Sequence, residues 1–447
     1  MKTYYFLGIG GIGMSAIARY MKDLGNKVYG YDRISTPLTL ELEKEGMIIT
    51  YEDEVSEIPS DIDLVIYTPA IPHNNKIYNY FIDNKFKMEK RSQILGELTK
   101  NKKCIAIAGS HGKTTCSTMI AHILYNSSVG CSAFLGGISK NFDSNYVVNK
   151  NSDYVVVEAD EYDRSFLQLD PTISAITAMD ADHLDVYGDY KEMQKSFIEF
   201  ANKTSEVLFL KKGIDLHLFE NNTSAKHTYA IRGVDADYYA INIRCSNGGY
   251  YFDLRTPEKI YYDICLNYGG VHNVENAVMA IGIALICGVS EEEMRQSIAS
   301  FSGVKRRFEV VINRKDLVYI DDYAHHPNEI KALVESLRFQ YPNRKLTGVF
   351  QPHLYSRTRD FADEFAKELN GFDEVVLLDI YPAREEPIIG VDSIMLLHKI
   401  NNMNRYYSSK EQLLDLLEAL YPEILVTIGA GDISELVPQI EKRFKDE

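Results

Sequence analysis

Cys104-Ile105-Ala106-Ile107-Ala108-Gly109-Ser110-His111-Gly112-Lys113-Thr114-Thr115 is the stretch on which the reading of this chain turns. An apolar run, Cys104 to Ala108, has the length and composition of a buried strand. It passes through a glycine turn into a helix expected over Thr114 to Leu124. In such a loop successive backbone N–H groups converge on phosphate oxygens, and the helix N-terminus adds partial positive charge. Lys113 is placed to reach β- and γ-phosphates, and the Thr114 hydroxyl to ligate Mg²⁺. Gly109, Ser110, His111, Gly112, Lys113, Thr114 and Thr115 are therefore the candidate nucleotide cradle. The strict phosphate-loop pattern has a glycine six positions before the lysine, where this chain has Ile107, so the loop is a variant. A strand–helix turn without a ligand is the bland alternative.

Acidic residues follow at the ends of neighbouring strands. Tyr154 to Val157 runs into Glu158-Ala159-Asp160-Glu161, and a strand over Thr172 to Thr177 leads toward Asp182-His183-Leu184-Asp185. Ligands of parallel α/β sheets bind at these carboxyl ends. Mg²⁺ is a hard ion that takes few protein oxygens, and a carboxylate such as Glu158 suits it. Thr114, Glu158 and His183 together would surround a two-metal phosphoryl site. Singly, each acidic cluster reads as a helix cap or a solvated loop.

Upstream, a strand over Thr3 to Leu7 enters Gly8-Ile9-Gly10-Gly11-Ile12-Gly13, followed by a helix expected over Met14 to Leu24 and a strand over Lys27 to Tyr31. The glycines fit G-x-G-x-x-G, with Asp32 placed as a ribose-binding acid would be. Alone, this motif admits NAD, FAD or a nucleotide-diphosphate sugar, and a dehydrogenase is its obvious reading. The neighbouring phosphate loop argues against that. A further strand is expected over Leu64 to Thr68. Downstream, an all-round apolar helix over Asn273 to Cys287 stops at Gly288, and Gly303 to Phe308 reads as a hinge. Beyond it, strands are expected at Leu317 to Ile320, Leu346 to Phe350, Glu374 to Leu378 and Ile424 to Ile428. Two strand-end loops here, Asp321-Asp322-Tyr323-Ala324-His325-His326-Pro327 and Gln351-Pro352-His353-Leu354-Tyr355-Ser356-Arg357, lack zinc-like spacing. They suit a small zwitterion, with Arg as a fork for its carboxylate and His and Tyr around its amine. Ordinary loop hydrogen bonding is the alternative.

The 447 residues exceed one hydrophobic core and predict two to four domains of α/β type. A net charge of −16 excludes a nucleic-acid partner. No apolar run is long enough for membrane insertion, and Met1 to Gly10 lacks the pattern of a secretory signal. Six scattered cysteines fit reduced thiols and a cytoplasmic location.

Read in order, G-I-G-G-I-G-M-S, G-S-H-G-K-T-T, E-A-D-E-Y-D-R-S-F, D-H-L-D-V-Y-G-D, H-N-V-E-N-A, G-V-K-R-R-F, D-D-Y-A-H-H-P-N-E-I, Q-P-H-L-Y-S-R-T and G-A-G-D-I resemble the Mur ligases along essentially the whole chain. D-D-Y-A-H-H-P with Q-P-H-x-Y points to the alanine-adding branch. The resemblance implies an N-terminal Rossmann-like domain (1–100) holding the UDP end of a substrate through Gly8, Gly10, Gly11, Gly13 and Asp32. It implies a central P-loop ATPase α/β domain (101–303) and a C-terminal Rossmann-like domain (304–447). His272, Asn273 and Asn276 would contact adenine, Arg307 the phosphates and Asp322 the ribose. Tyr323, His325, His353 and Arg357 would line an alanine pocket. The implied reaction joins the lactyl carboxylate of UDP-N-acetylmuramate to L-alanine through an acyl phosphate. It uses ATP and Mg²⁺, with Mn²⁺ able to substitute, in a monomer or dimer. Lys113, Glu158, His183 and His353 would carry the chemistry, His353 and His325 being candidate proton relays. A tripeptide-adding ligase of the same family and a nucleotide sensor are the competing readings. Two departures stand out: Leu354 where relatives often carry Arg, and Thr177-Ala178 where they often carry Thr-Asn.

Overall fold

The computed structural model describes residues 1–180, 187–233, 235–246, 248–383 and 385–445. Its elements form three sheets. The first is wholly parallel and contains β1 (Thr3–Leu7), β2 (Lys27–Tyr31), β3 (Ile48–Thr50), β4 (Leu64–Tyr67) and β5 (Met88–Lys90), in the order β3-β2-β1-β4-β5. Between these strands run α1 (Ile12–Asp23), α2 (Pro37–Lys44), α3 (Lys76–Asp83) and, after β5, α4 (Arg91–Thr99). Every residue of β1 is buried, as expected for a central parallel strand covered on both faces. Helix α1 begins at Gly11 and buries Met14, Ala16, Ile17, Ala18 and Met21 against the sheet. Helix α2 starts from a Thr36 capping box with Pro37 in its first turn.

The second sheet has ten strands: β6 (Lys103–Ala108), β7 (Ser132–Ser139), β8 (Ser144–Val147), β9 (Tyr154–Glu158), β10 (Ile173–Ile176), β11 (Val207–Lys211), β12 (Ala225–Ala230), β13 (Tyr238–Ser246), β14 (Gly249–Arg255) and β15 (Ile260–Leu266). Their order is β15-β14-β13-β12-β11-β10-β6-β9-β7-β8. Strand β6 lies between β9 and β10, parallel to both, and the phosphate loop leaves its carboxyl end. Helices α5 (Lys113–Tyr125), α6 (Tyr190–Asn202), α7 (His272–Ile286) and α8 (Glu291–Ser300) accompany this sheet in sequence. The third sheet holds β16 (Glu309–Asn313), β17 (Val318–Asp322), β18 (Leu346–Phe350), β19 (Glu374–Leu377), β20 (Arg405–Tyr407) and β21 (Ile424–Ile428), in the order β16-β17-β21-β18-β19-β20. Its first pair is antiparallel and the rest are parallel.

The chain divides into two compact units. One comprises Met1–Ile241, Asp253–Ile264 and Asn276–Ser302; the other comprises Asn242–Phe252, Cys265–Glu275 and Gly303–Glu447. Within the first unit, one continuous apolar cluster includes Phe6, Met14 and Ile17 together with Cys104, Val157, Phe166 and Phe197, so the first and second sheets share a core. Within the other, two clusters include Ile320, Leu333 and Val426, and Tyr319, Val376 and Leu425 respectively. The longest segment of that unit opens at the expected hinge. Gly303 has φ +90°, Arg306 +62° and Phe308 +44°, and a side chain at Gly303 would collide with the Tyr268 ring. Among the described residues no helix is long and apolar enough to cross a membrane.

Candidate functional site

The phosphate loop is built by close approach of backbones. Gly109 has φ +135°, and a Cβ there would stand 2.2 Å from Thr177 Oγ1 and 2.8 Å from the Ala178 nitrogen. Only glycine fits both constraints. The segment after β10 pins the loop: Thr177 Oγ1 donates to the His111 carbonyl, and Ser110 N donates to Ala178 O at 3.1 Å. Ser110 Oγ donates to Asp180 O at 2.9 Å, and His111 Nε2 lies 3.4 Å from an Asp180 carboxylate oxygen. Gly112, at φ +84°, caps α5, and Thr114 and Thr115 are buried in its first turn. Asn276 Oδ1 accepts from Cys116 Sγ at 3.2 Å and lies beside Gly112, so this expected adenine contact stands next to the loop.

Lys113 Nζ donates to Gly109 O at 2.7 Å and to Glu161 Oε1 at 2.9 Å, with Glu161 Oε2 at 2.8 Å. Burial works against the ammonium, but the carboxylates of Glu161, Glu158 and Asp160 overcome it and raise its pKa above the ordinary lysine value. Lys113 therefore stays charged. Glu158, at the end of β9, lies where a Cβ on Gly136 would come within 2.1 Å of its Oε2. The bare backbone of β7 at Gly136 is thus what leaves room for that carboxylate. A carboxylate and the Thr114 hydroxyl are hard oxygen donors, and they fit Mg²⁺. His183 and the D-H-L-D stretch around it lie outside the described residues.

In the first sheet, Gly8 has φ +84° and a Cβ on Gly10 would meet the Asp32 carboxylate at 2.8 Å. Asp32, expected as a ribose acid, accepts from Gly10 N at 2.8 Å through Oδ2 and from Arg33 N at 2.8 Å through Oδ1. Its carboxylate braces the glycine turn. Gly13 is approached by Arg91, whose Nη1 would sit 2.7 Å from an added Cβ and whose Nη2 reaches Asp160 at 3.3 Å. Arg91 thereby ties the glycine turn of the first sheet to the acidic loop of the second.

The other unit gathers the remaining candidates. Asp322 Oδ2 accepts from Phe308 N at 2.7 Å and Oδ1 from Ala324 N at 2.8 Å. Burial pushes this carboxyl up to about 6 even though the two amides and Arg307 pull the other way. Asp322 locks the hinge to β17. Arg307 lies over the Tyr323 ring at 4.7 Å, with Glu329 at 3.9 Å. His325 Nδ1 is 3.0 Å from Tyr323 O and 3.2 Å from Glu329 Oε2. Two acceptors facing Nδ1 place the proton there, which makes Nε2 the lone-pair nitrogen. Burial lowers the His325 pKa to about 4, opposed by Glu329 and assisted by Arg357. The His325 and His353 rings are 6.1 Å apart, and His353 stacks on Tyr381 at 5.7 Å. Tyr323, His325, His353 and Arg357 are therefore brought into one neighbourhood. His272 Nδ1 lies 2.9 Å from Ser336 Oγ, and the buried Asn273 donates to Gly269 O at 2.7 Å.

Three family models match in succession: the Mur ligase family, catalytic domain over residues 3–103, the Mur ligase middle domain over 107–284 and the Mur ligase, glutamate ligase domain over 306–431. The UDP-N-acetylmuramate–L-alanine ligase of Christiangramia forsetii is 46% identical, with 100% of this chain and 98% of that protein covered. The ligase of the same name from Flavobacterium johnsoniae is 47% identical, with the same shares covered. The chain belongs to the Mur ligase family. A solved Mur ligase, the UDP-N-acetylmuramate–alanine ligase of Thermotoga maritima, superposes with a TM-score of 0.85 at 27% identity, each chain covered completely. The murein peptide ligase of Psychrobacter arcticus shares the fold, with a TM-score of 0.71 at 21% identity over 99% of this chain and 98% of that one.

Several residues of this Mur ligase site carry little local signal in the sequence. Glu161 falls within an acidic run, and nothing local marks it as the partner of Lys113. Glu329 accepts from the backbone N–H groups of His325 and His326 at 2.8 and 3.1 Å. Its position at the third residue of a helix that starts from His326 is the capping-box signal that could have found it. Gly136, Arg91 and Tyr381 carry no such local signal.

Proposed function

We propose that this chain joins the lactyl carboxylate of UDP-N-acetylmuramate to L-alanine, with ATP converted to ADP and phosphate, in the assembly of peptidoglycan precursors. Full-length similarity at 46–47% identity to ligases of that name carries the reading, and the Lys113 loop supplies its chemistry. A carboxylate is a poor acyl donor because its oxygen leaves badly. Transfer of the γ-phosphoryl group turns it into an acyl phosphate, which the alanine amine attacks with loss of phosphate. Gly109 to Thr115 would hold the triphosphate, and the protonated Lys113 would stabilise charge on the transferring group. Thr114, Glu158 and His183 would hold Mg²⁺, which when bound supplies further neutralisation of the phosphate oxygens. Gly8, Gly10, Gly11 and Gly13, braced by Asp32, would take the UDP end. His272, Asn273 and Asn276 are assigned to adenine, Arg307 to phosphate and Asp322 to the ribose side.

Tyr323, His325, His353 and Arg357 would receive alanine. As a proton relay, His325 in its Nδ1–H tautomer presents Nε2 as the acceptor, while the burial that lowers its pKa to about 4 keeps the ring neutral at pH 7 and makes it a weak base. His353 remains a second candidate. We retain the division into 1–100, 101–303 and 304–447, and we place the reaction in the cytoplasm, where ATP is held and the free cysteines stay reduced.

The test is phosphate release with ATP, Mg²⁺ and UDP-N-acetylmuramate, comparing L-alanine with glycine, L-serine, a tripeptide and no acceptor. L-Alanine should support the fastest release. Release that depends on the tripeptide instead would assign the chain to the peptide-adding branch.

A further inference from the structure

We propose that Tyr381 and Glu385 are positioning residues for the amino-acid substrate: Tyr381 backs His353, and Glu385 anchors the turn that carries Arg357. The proposal rests on the function given above and adds two residues to its alanine pocket.

Strands β18 and β19 are parallel neighbours, so the segments leaving their carboxyl ends start side by side. The first carries Gln351 to Arg357, and the second carries Tyr381 and Glu385. Their backbones interlock: Tyr381 N donates to Pro352 O at 2.8 Å, and Leu354 N donates to Tyr381 O at 2.9 Å. The interlock holds Leu354 at φ +68° and ψ 136°, a conformation that suits glycine and strains a residue with a side chain. On its other side the Leu354 carbonyl accepts from Thr358 N at 3.1 Å and from Thr358 Oγ1 at 2.7 Å. Leu354 stands between His353 and Arg357. Its bend therefore sets the direction in which the helix Tyr355–Asp360 leaves His353.

Side chains reinforce that bend. The Tyr381 ring stacks on His353 at 5.7 Å with 24° between the planes. A Cβ on Gly431 would meet Tyr381 Cβ and Cγ at 2.7 Å, so bare backbone closes on the same tyrosine and limits its swing. The Glu385 carboxylate accepts from Ser356 N at 2.9 Å through Oε2 and from Ser356 Oγ through Oε1. Leu354 offers no side-chain cap to the helix Tyr355–Asp360, and Glu385 supplies the acceptor from outside it. Both residues act through their neighbours. With His353 and Arg357 held in place beforehand, less rotamer freedom is lost when a small zwitterion binds.

The experiment is phosphate release by the full-length protein, with L-alanine varied at saturating MgATP and UDP-N-acetylmuramate, and then with MgATP varied. Tyr381→Leu, Tyr381→Phe and Glu385→Ala are compared with wild type. KM for L-alanine should rise roughly tenfold in Tyr381→Leu and roughly fivefold in Glu385→Ala, with KM for MgATP unchanged. Tyr381→Phe keeps the stacked ring and should restore the wild-type KM. An unchanged KM for L-alanine in either folded variant overturns the proposal. So does a fall in kcat with both KM values unchanged, the mark of a smaller folded fraction, and so does an equal rise in KM for MgATP. A rise in Tyr381→Phe as large as in Tyr381→Leu also overturns it. If Tyr381→Leu gives no cooperative thermal transition, the half-buried Glu385 decides by the same criteria. Wild-type protein that releases no phosphate with L-alanine would count against the ligase reading itself, a result distinct from the others.

Discussion

Lys113→Ala removes the ammonium that the loop brings to the transferring phosphoryl group. The variant should lose on the order of 3 kcal/mol or more of transition-state stabilisation in a phosphate-release assay. Near-native turnover would remove Lys113 from the mechanism. Asp322 and His325 make opposite predictions about pH. The folded pKa of Asp322 is raised to about 6, so between about pH 4 and 6 the native state binds more protons than the unfolded chain. Its contribution to stability is favourable in acid and declines as pH rises through that window. The folded pKa of His325 is lowered to about 4, so between pH 4 and about 6.5 the unfolded chain binds more protons. Its contribution is present at neutrality and is lost as pH falls. Denaturant midpoints measured from pH 4 to 7 should therefore show steeper acid destabilisation in Asp322→Asn and shallower in His325→Gln. Parallel curves for both variants would contradict these assignments. The residues most legible in the sequence are those whose function is written in their own backbone, such as Gly109 and Gly112 at positive φ. Glu161, Gly136 and Thr177 were not legible as site residues, since each acts on a group 20 or more residues away.

The elements that hold the site depend on glycines for two different reasons. At Gly109 both the conformation and the space forbid a side chain. Gly109→Ala should abolish measurable MgATP binding in calorimetry while the far-ultraviolet circular dichroism stays near wild type, because β6 and α5 remain intact. At Gly136 only space is at issue, since a methyl group would overlap the Glu158 carboxylate. Gly136→Ala should displace that carboxylate and raise the Mg²⁺ concentration needed for half-maximal rate several-fold, with a stability cost of about 1–3 kcal/mol. An unaltered Mg²⁺ requirement would separate Glu158 from the metal. Strands β1, β2, β18 and β21 match their expected limits; β1, β18 and β21 are buried at every residue, and β2 is exposed at Lys27. The run β11 to β15 is not legible as a unit in the sequence. In β13 half-buried and exposed residues alternate from Ile241 to Ser246, and β15 carries an irregular pattern with three tyrosine or aspartate positions in its first four residues. Partial burial of that kind leaves only a weak apolar signal in a single sequence.

Across the first unit, the sheets of the first and second regions share an apolar core, and a buried polar junction sits at its edge. Arg19, 6% exposed, binds Glu45 at 2.7 Å and donates to Asn145 Oδ1 at 2.5 Å. Asn145 in turn donates to Ile12 O at 2.5 Å and to Ser15 Oγ at 2.8 Å. Asn145→Ala strips one partner, the Nη1 acceptor, from a buried guanidinium that keeps Glu45, and should cost about 1–3 kcal/mol, read as a lowered Tm of the unit in calorimetry. Splitting of that transition would mean the two sheets are held mainly by this junction, and a single shifted transition that the shared core dominates; the core's extent predicts the single shift. The sequence by itself determined the alternation of strands and helices, the glycine turns and the place of the phosphate loop, because these follow from local periodicity and from backbone angles that only glycine adopts readily. Tertiary structure alone decided which carboxylate holds Lys113, which strand clears space for Glu158 and which imidazole nitrogen keeps its proton. Those are matters of distance and burial between segments remote in the chain, and electrostatic energy depends on both.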